Sequence, residues 1–122
     1  MRHKATAELF AMKAIKLEDV VEYELDIMLE RAALLHSECA FVVKLKASFC
    51  EGTKAYLVME FCPGGELFVH LSNHKRFSEA KACFFIAELV LALEHIHSLG
   101  YIYRDLKPEN VMLDVRTTVW WF

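Results

Sequence analysis

The spacing of apolar positions changes character along the chain, and each change predicts an element. Residues 9–15 (LFAMKAI) form a short β-like run with Lys13 set inside it. Helical spacing follows over residues 18–35. Partial alternation over residues 42–49 (VVKLKASF) and 54–60 (KAYLVME), separated by Glu51-Gly52-Thr53, predicts a β-hairpin. Cys62-Pro63-Gly64-Gly65 breaks the pattern, and a short helix is expected to start at Glu66. Ser78 is a suitable N-cap for a long helix reaching about Leu99, where Gly100 can end it. From Tyr101 onward the expectation is short strand, loop, short strand.

Strand-rich and helix-rich halves divided at a glycine pair imply an α+β chain of two subdomains meeting at a hinge. Ligands commonly bind at such junctions. On the first helix Val21, Leu25, Met28, Ala32 and Leu35 form one apolar stripe, and Tyr23, Ile27 and Leu34 a second. Glu30 falls in the second stripe. It either reaches solvent at the rim or, where desolvated, requires a cation. The second long helix is apolar nearly all round, from Phe84 to Ile96, which is the pattern of a buried structural helix.

Composition narrows the class. The 122 residues are 56% hydrophobic with only 4 Gly and 2 Pro, which excludes disordered and collagen-like chains. A net charge of -3 argues against nucleic acid as the main partner. The most apolar stretch, residues 84–93, is interrupted by Glu88 and is too short to span a bilayer, and no signal-peptide run follows the first basic residues. Cys39, Cys50, Cys62 and Cys83 form no CxxC pair, so reduced thiols in the cytoplasm or nucleus are expected. Glu66, His70 and His74 share a helical face, but a solvated helix end explains the two histidines more simply than zinc does.

The chemistry is concentrated in residues 101–113 (YIYRDLKPENVML). Asp105, Lys107 and Asn110 are spaced D-x-K-x-x-N. A carboxylate can orient a nucleophile or accept its proton, a lysine can neutralise a phosphoryl group in transfer, and an amide oxygen can ligate magnesium.

With these residues in place the chain resembles the protein kinase family. YRDLKPEN resembles the catalytic loop, with Tyr103 where many members carry His, and FAMKAIK resembles the strand that bears the nucleotide-binding lysine. More narrowly, LVMEFCPGGELF and ACFFIAELVLALEHIHSLG resemble serine/threonine kinases of the cyclic-nucleotide-dependent, protein kinase C and ribosomal S6 kinase group. The resemblance implies part of a two-lobed fold: about 7–60 for the N-lobe, 61–65 for the hinge, 66–114 for the start of the C-lobe and 115–122 as an atypical tail.

It also implies site roles. Lys13 would hold the ATP α and β phosphates and Glu30 would pair with it. Met59 would be the gatekeeper, Glu60 and Cys62 would contact adenine through their backbones, and Ala11 and Met112 would cover the ring above Leu67 and Val111. Asp105 would orient the hydroxyl, Lys107 would offset charge and Asn110 would hold Mg²⁺. Glu66 would reach the ribose and, with Glu109, basic substrates carrying Arg upstream of Ser or Thr. Leu34, Leu45 and Tyr103 would join a stack bridging the lobes, and an upstream activating kinase is implied for a full-length protein.

Two family features are not found in these residues. No glycine precedes Lys13, and residues 115–122 (VRTTVWWF) contain neither Asp nor Gly, so D-F-G is missing. The expectation is an incomplete reading of a longer protein, or else a short isoform, and a 122-residue polypeptide that is catalytically silent. The alternative function is a non-catalytic scaffold or decoy.

Overall fold

The computed structural model describes residues 1–17 and 39–114, together with the backbone of 119–121. The first long helix, with Glu30 and Leu34, lies outside the described residues. The chain divides into two compact units, residues 1–36 with 44–61 and residues 37–43 with 62–122.

The first unit is built on an antiparallel sheet of β1 (Phe10–Lys16), β2 (Leu45–Glu51) and β3 (Lys54–Glu60), in the order β1-β3-β2. β3 is central, which is why Ala55, Leu57, Val58 and Met59 are all buried although their side chains alternate between faces. A two-residue loop joins β2 to β3, and Gly52 takes its first position at φ 57, where a side chain would be strained. Phe49 and Tyr56 stack across the strands with centroids 5.0 Å apart. The expected strand over 42–49 begins later, at Leu45, and its register shifts between Leu45 and Ala47. Val42 and Val43 are fully buried residues of the second unit instead, at 1% and 0% exposure.

The second unit holds β4 (Gly65–Glu66), α1 (Leu67–His74), α2 (Glu79–Ser98), a 3-10 turn at Pro108–Asn110, β5 (Val111–Leu113) and β6 (Val119–Trp121). β4, β5 and β6 form an antiparallel sheet in that order. Glu66 therefore does not begin the helix. Its backbone pairs with Met112, and it sits at the N-cap of α1 without a capping side-chain bond. The expected short strand after Tyr101 is absent, because residues 101–107 carry no regular structure. The tail instead supplies β6, whose backbone pairs with β5.

α2 follows its sequence signals closely. Ser78 Oγ accepts from the Lys81 N–H at 3.3 Å, and Gly100 follows the C-cap at φ 84. Its near-continuous apolar surface is only half used. Phe85, Leu89, Ala92 and Ile96 are buried, whereas Ile86 and Val90 are 58% and 55% exposed. No helix among the described residues is long and apolar enough to cross a membrane, and all four cysteines are free.

Candidate functional site

The segment after α2 places two polar side chains, Lys107 and Asn110, around the Asp105 carboxylate. Pro108 fixes the first position of the 3-10 turn, where its missing N–H costs nothing. The Asn110 N–H donates to Lys107 O at 2.9 Å and closes that turn. Lys107 and Asn110 are thereby folded back over Asp105. Lys107 Nζ donates to both Asp105 oxygens, at 2.9 and 2.7 Å. Asn110 Nδ2 donates to Asp105 O at 2.8 Å and to Oδ2 at 2.9 Å. Because Nδ2 faces two acceptors, the amide orientation follows, and Oδ1 is the atom left to meet a cation. The Lys107 pKa is raised above its ordinary value by the hydrogen bond to Asp105, burial opposes that rise, and the charges of Asp105 and Glu109 reinforce it.

Below this loop is an apolar groove of about 300 Å³, lined among others by Leu67, Leu71, Phe85, Leu89, Pro108 and Val111. Val111 and Leu67 are buried in its floor. Glu66 and Met112 are opposite each other across the β4–β5 pair, with Glu66 exposed and Met112 half-buried. Glu109 is exposed on the 3-10 turn and Tyr103 is half-buried. Cys62 is buried at the start of a turn in which its carbonyl accepts from the Gly65 N–H at 3.3 Å.

In the first unit, Lys13 shares one sheet face with Ala11 on β1 and with Leu57 and Met59 on β3, since Ala11 is opposite Met59 and Lys13 opposite Leu57. The structure thus gathers Ala11, Lys13 and Met59 on one face. Lys13 is half-buried there. Leu45, also half-buried, is opposite Met59 from the β2 side. Glu60 pairs with Lys46 at 2.7 Å, and its N–H donates to Lys44 O at 3.2 Å. Glu30, the expected partner of Lys13, lies outside the described residues.

Two contributors escape a reading of the sequence. The Gly64 N–H donates to Leu113 O at 2.8 Å, and a Cβ on Gly64 would fall 2.5 Å from that same oxygen. His70 Nε2–H donates to Gly64 O at 2.7 Å and pins the other side of the turn. The histidine at this helix position therefore has a structural bond, and His74 Nδ1–H likewise donates to His70 O at 2.8 Å. The two adjacent glycines mark a turn in sequence, but the six-residue step to His70 matches no local motif.

The loop thus holds one carboxylate between a lysine two residues on and an asparagine five on, and the comparison with known families shows the family. The protein kinase domain model matches residues 1–119. This chain belongs to the protein kinase domain family. It is 46% identical over 116 residues to the serine/threonine-protein kinase YPK2/YKR2 of Saccharomyces cerevisiae, covering 93% of this chain and 17% of that protein. It is 45% identical over 108 residues to ribosomal protein S6 kinase alpha-3 of Homo sapiens, covering 88% of this chain and 15% of that protein. With the cAMP-dependent protein kinase, catalytic subunit-like of Caenorhabditis elegans, identity is 43% over 114 residues, covering 92% of this chain and 29% of that protein. The chain thus spans less than a third of the length of these kinases, and its lineage is that of the serine/threonine kinase group they represent.

Proposed function

We propose that this kinase chain carries part of the machinery that transfers the γ-phosphoryl of ATP to Ser or Thr hydroxyls of basic proteins. The observation that supports this reading is the Asp105–Lys107–Asn110 constellation. Asp105 would orient the acceptor hydroxyl and take its proton. Lys107 in this arrangement neutralises Asp105 and holds it in place, and it would turn to the phosphoryl group when a substrate hydroxyl displaces it. Lys13 would position the α and β phosphates with Glu30 as its anion. Ala11, Met59 and Met112 would line the adenine site, together with the backbones of Glu60 and Cys62. Glu66 and Glu109 would receive substrate arginines, a carboxylate–guanidinium pairing that suits bidentate hydrogen bonding.

Asn110 would offer one oxygen to a magnesium ion that arrives with the nucleotide, and without the D-F-G carboxylate these residues would hold that ion weakly. Asn110 Oδ1 is a hard, neutral oxygen, and among the described residues no group of three His, Cys, Asp or Glu side chains could retain a metal unaided. Bound there with ATP, Mg²⁺ would neutralise phosphate charge. The rest of the catalysis is positioning by the chain's own side chains.

The 122-residue polypeptide by itself we read as catalytically silent, since no glycine precedes Lys13 and residues 115–122 lack the aspartate of D-F-G. A non-catalytic scaffold or decoy role is the second reading. We place the protein in the cytoplasm or nucleus, with an upstream activating kinase for the longer form.

The test is phosphotransfer from radiolabelled ATP to an arginine-rich serine peptide. The 122-residue polypeptide should give none, while a longer natural protein containing these residues should be active and lose activity on Asp105→Asn. Activity in the polypeptide that Asp105→Asn abolishes would overturn its silence. An inactive longer protein would favour the scaffold.

A further inference from the structure

The Gly64 peptide is held from both of its sides within the second unit. Its N–H donates to Leu113 O at 2.8 Å, and its carbonyl accepts from His70 Nε2–H at 2.7 Å. The next two residues inherit this anchorage. Gly65 turns the chain at φ 73, and Glu66 pairs with Met112 before α1 begins at Leu67. Glu66 is an unusual start for a helix. It occupies the N-cap, where a short side chain normally accepts a bond from the first turn, yet its carboxylate makes no capping bond and is exposed. The helix start is tied down by His70 instead, four residues on and one turn along α1. The carboxylate is thus left available to a ligand while the backbone that carries it is fixed.

We propose that His70 is a positioning residue for Glu66. Its bond to Gly64 O fixes where the Glu66 carboxylate stands, and so sets how tightly that carboxylate holds the guanidinium of an arginine-bearing substrate. The inference rests on the substrate role proposed for Glu66 and extends it to a residue that touches no ligand. A carbonyl only accepts, so His70 acts in a form that carries the Nε2 proton. A side chain without a donor there leaves the half-buried Gly64 carbonyl without its partner and loosens the turn on that side. Carboxylate–guanidinium pairing through two parallel bonds is sensitive to orientation. The effect therefore falls on substrate binding and leaves the transfer step at Asp105 alone.

The test is phosphotransfer to an arginine-rich serine peptide by a longer natural protein containing these residues. His70→Leu should raise the peptide KM about fivefold or more, with kcat within about twofold of the parent. His70→Gln, which keeps an amide donor, should restore most of the loss. His70→Asn, a donor too short to reach Gly64 O, replaces His70→Leu if that variant does not fold. In a Glu66→Ala background His70→Leu should add little, because the carboxylate it positions is gone. Fluorescence anisotropy of the labelled peptide gives the same comparison without turnover. An unchanged KM in His70→Leu, a loss confined to kcat, or an equal effect with and without Glu66 overturns the proposal while Glu66→Ala still weakens the peptide. If Glu66→Ala leaves peptide binding unchanged, the substrate role of Glu66 fails first and the proposal falls with it.

Discussion

Lys107 closes on Asp105 through both carboxylate oxygens, at 2.9 and 2.7 Å, although the two side chains are 46% and 66% exposed. Exposed ion pairs contribute little to stability. The significance of this one is chemical, because it holds the carboxylate in place beside Asn110. In a catalytically competent protein carrying this segment, Asp105→Asn should lower kcat by about 10²–10⁴-fold, the range of a lost general base. Nucleotide affinity, measured by fluorescence titration, should change far less.

The same pair has a defined pH dependence. The hydrogen bond and charge of Asp105 raise the Lys107 pKa above its ordinary value of 10.5. A raised lysine pKa means that the contact's contribution is fully present below the ordinary lysine range and is lost as pH rises through the folded value. Titration of Lys107 by NMR should therefore give a midpoint above the ordinary lysine value, and Asp105→Asn should lower it.

Gly64 and Gly65 should respond differently to alanine. A Cβ at Gly64 meets Leu113 O at 2.5 Å, a backbone atom that cannot step aside, whereas one at Gly65 meets nothing but forces a side chain to φ 73. Gly64→Ala should destabilise by about 1–3 kcal/mol as an overpacking change. Gly65→Ala should cost about 1 kcal/mol through backbone strain. Urea denaturation followed by far-UV dichroism separates the two.

Ser78→Ala removes the acceptor for the Lys81 N–H at the start of α2. A loss of about 1 kcal/mol is expected. Ser78→Asp should retain most of the stability, because its carboxylate can accept the same bond and favours the positive end of the helix dipole.

Leu57→Ala should be the costliest of these changes. Leu57 is 1% exposed on the central strand of the first sheet, opposite Lys13 on one side and Ser48 on the other. About 2–5 kcal/mol should be lost. Thermal unfolding checks the size of the effect. The Lys107 resonances report whether the damage stays within the first unit.

Local signals account for most of what could be read before the structure. Lys54–Glu60 and the span from Ser78 to Gly100 match the expectations because turn glycine, N-cap and C-cap chemistry act within a few residues. The D-x-K-x-x-N spacing marked Asp105, Lys107 and Asn110 as candidates, and a tight proline turn brings their side chains together. What failed depended on distant partners. Val42-Val43 has the apolar character of a strand yet serves as core for the second unit. Glu66 has helix-start chemistry, yet its backbone is claimed by Met112, a residue far along the chain. The strand at Val119–Trp121 has no alternation to announce it and exists through pairing with β5. The apolar circumference of α2 is that of a helix inside a helical lobe, and exposed apolar faces are what a partial lobe leaves on it: Ile86 and Val90 are exposed while Phe85 and Leu89 are buried.

Because residues 37–43 belong with 62–122 while 44–61 return to the first unit, the chain crosses between the units three times. Neither unit is a contiguous stretch of sequence. A cut after Phe61 would leave Val42 and Val43 on the wrong piece, so the halves could not be prepared separately by simple truncation. A circular permutant or a co-expressed, complementing pair of pieces would be needed to isolate either one.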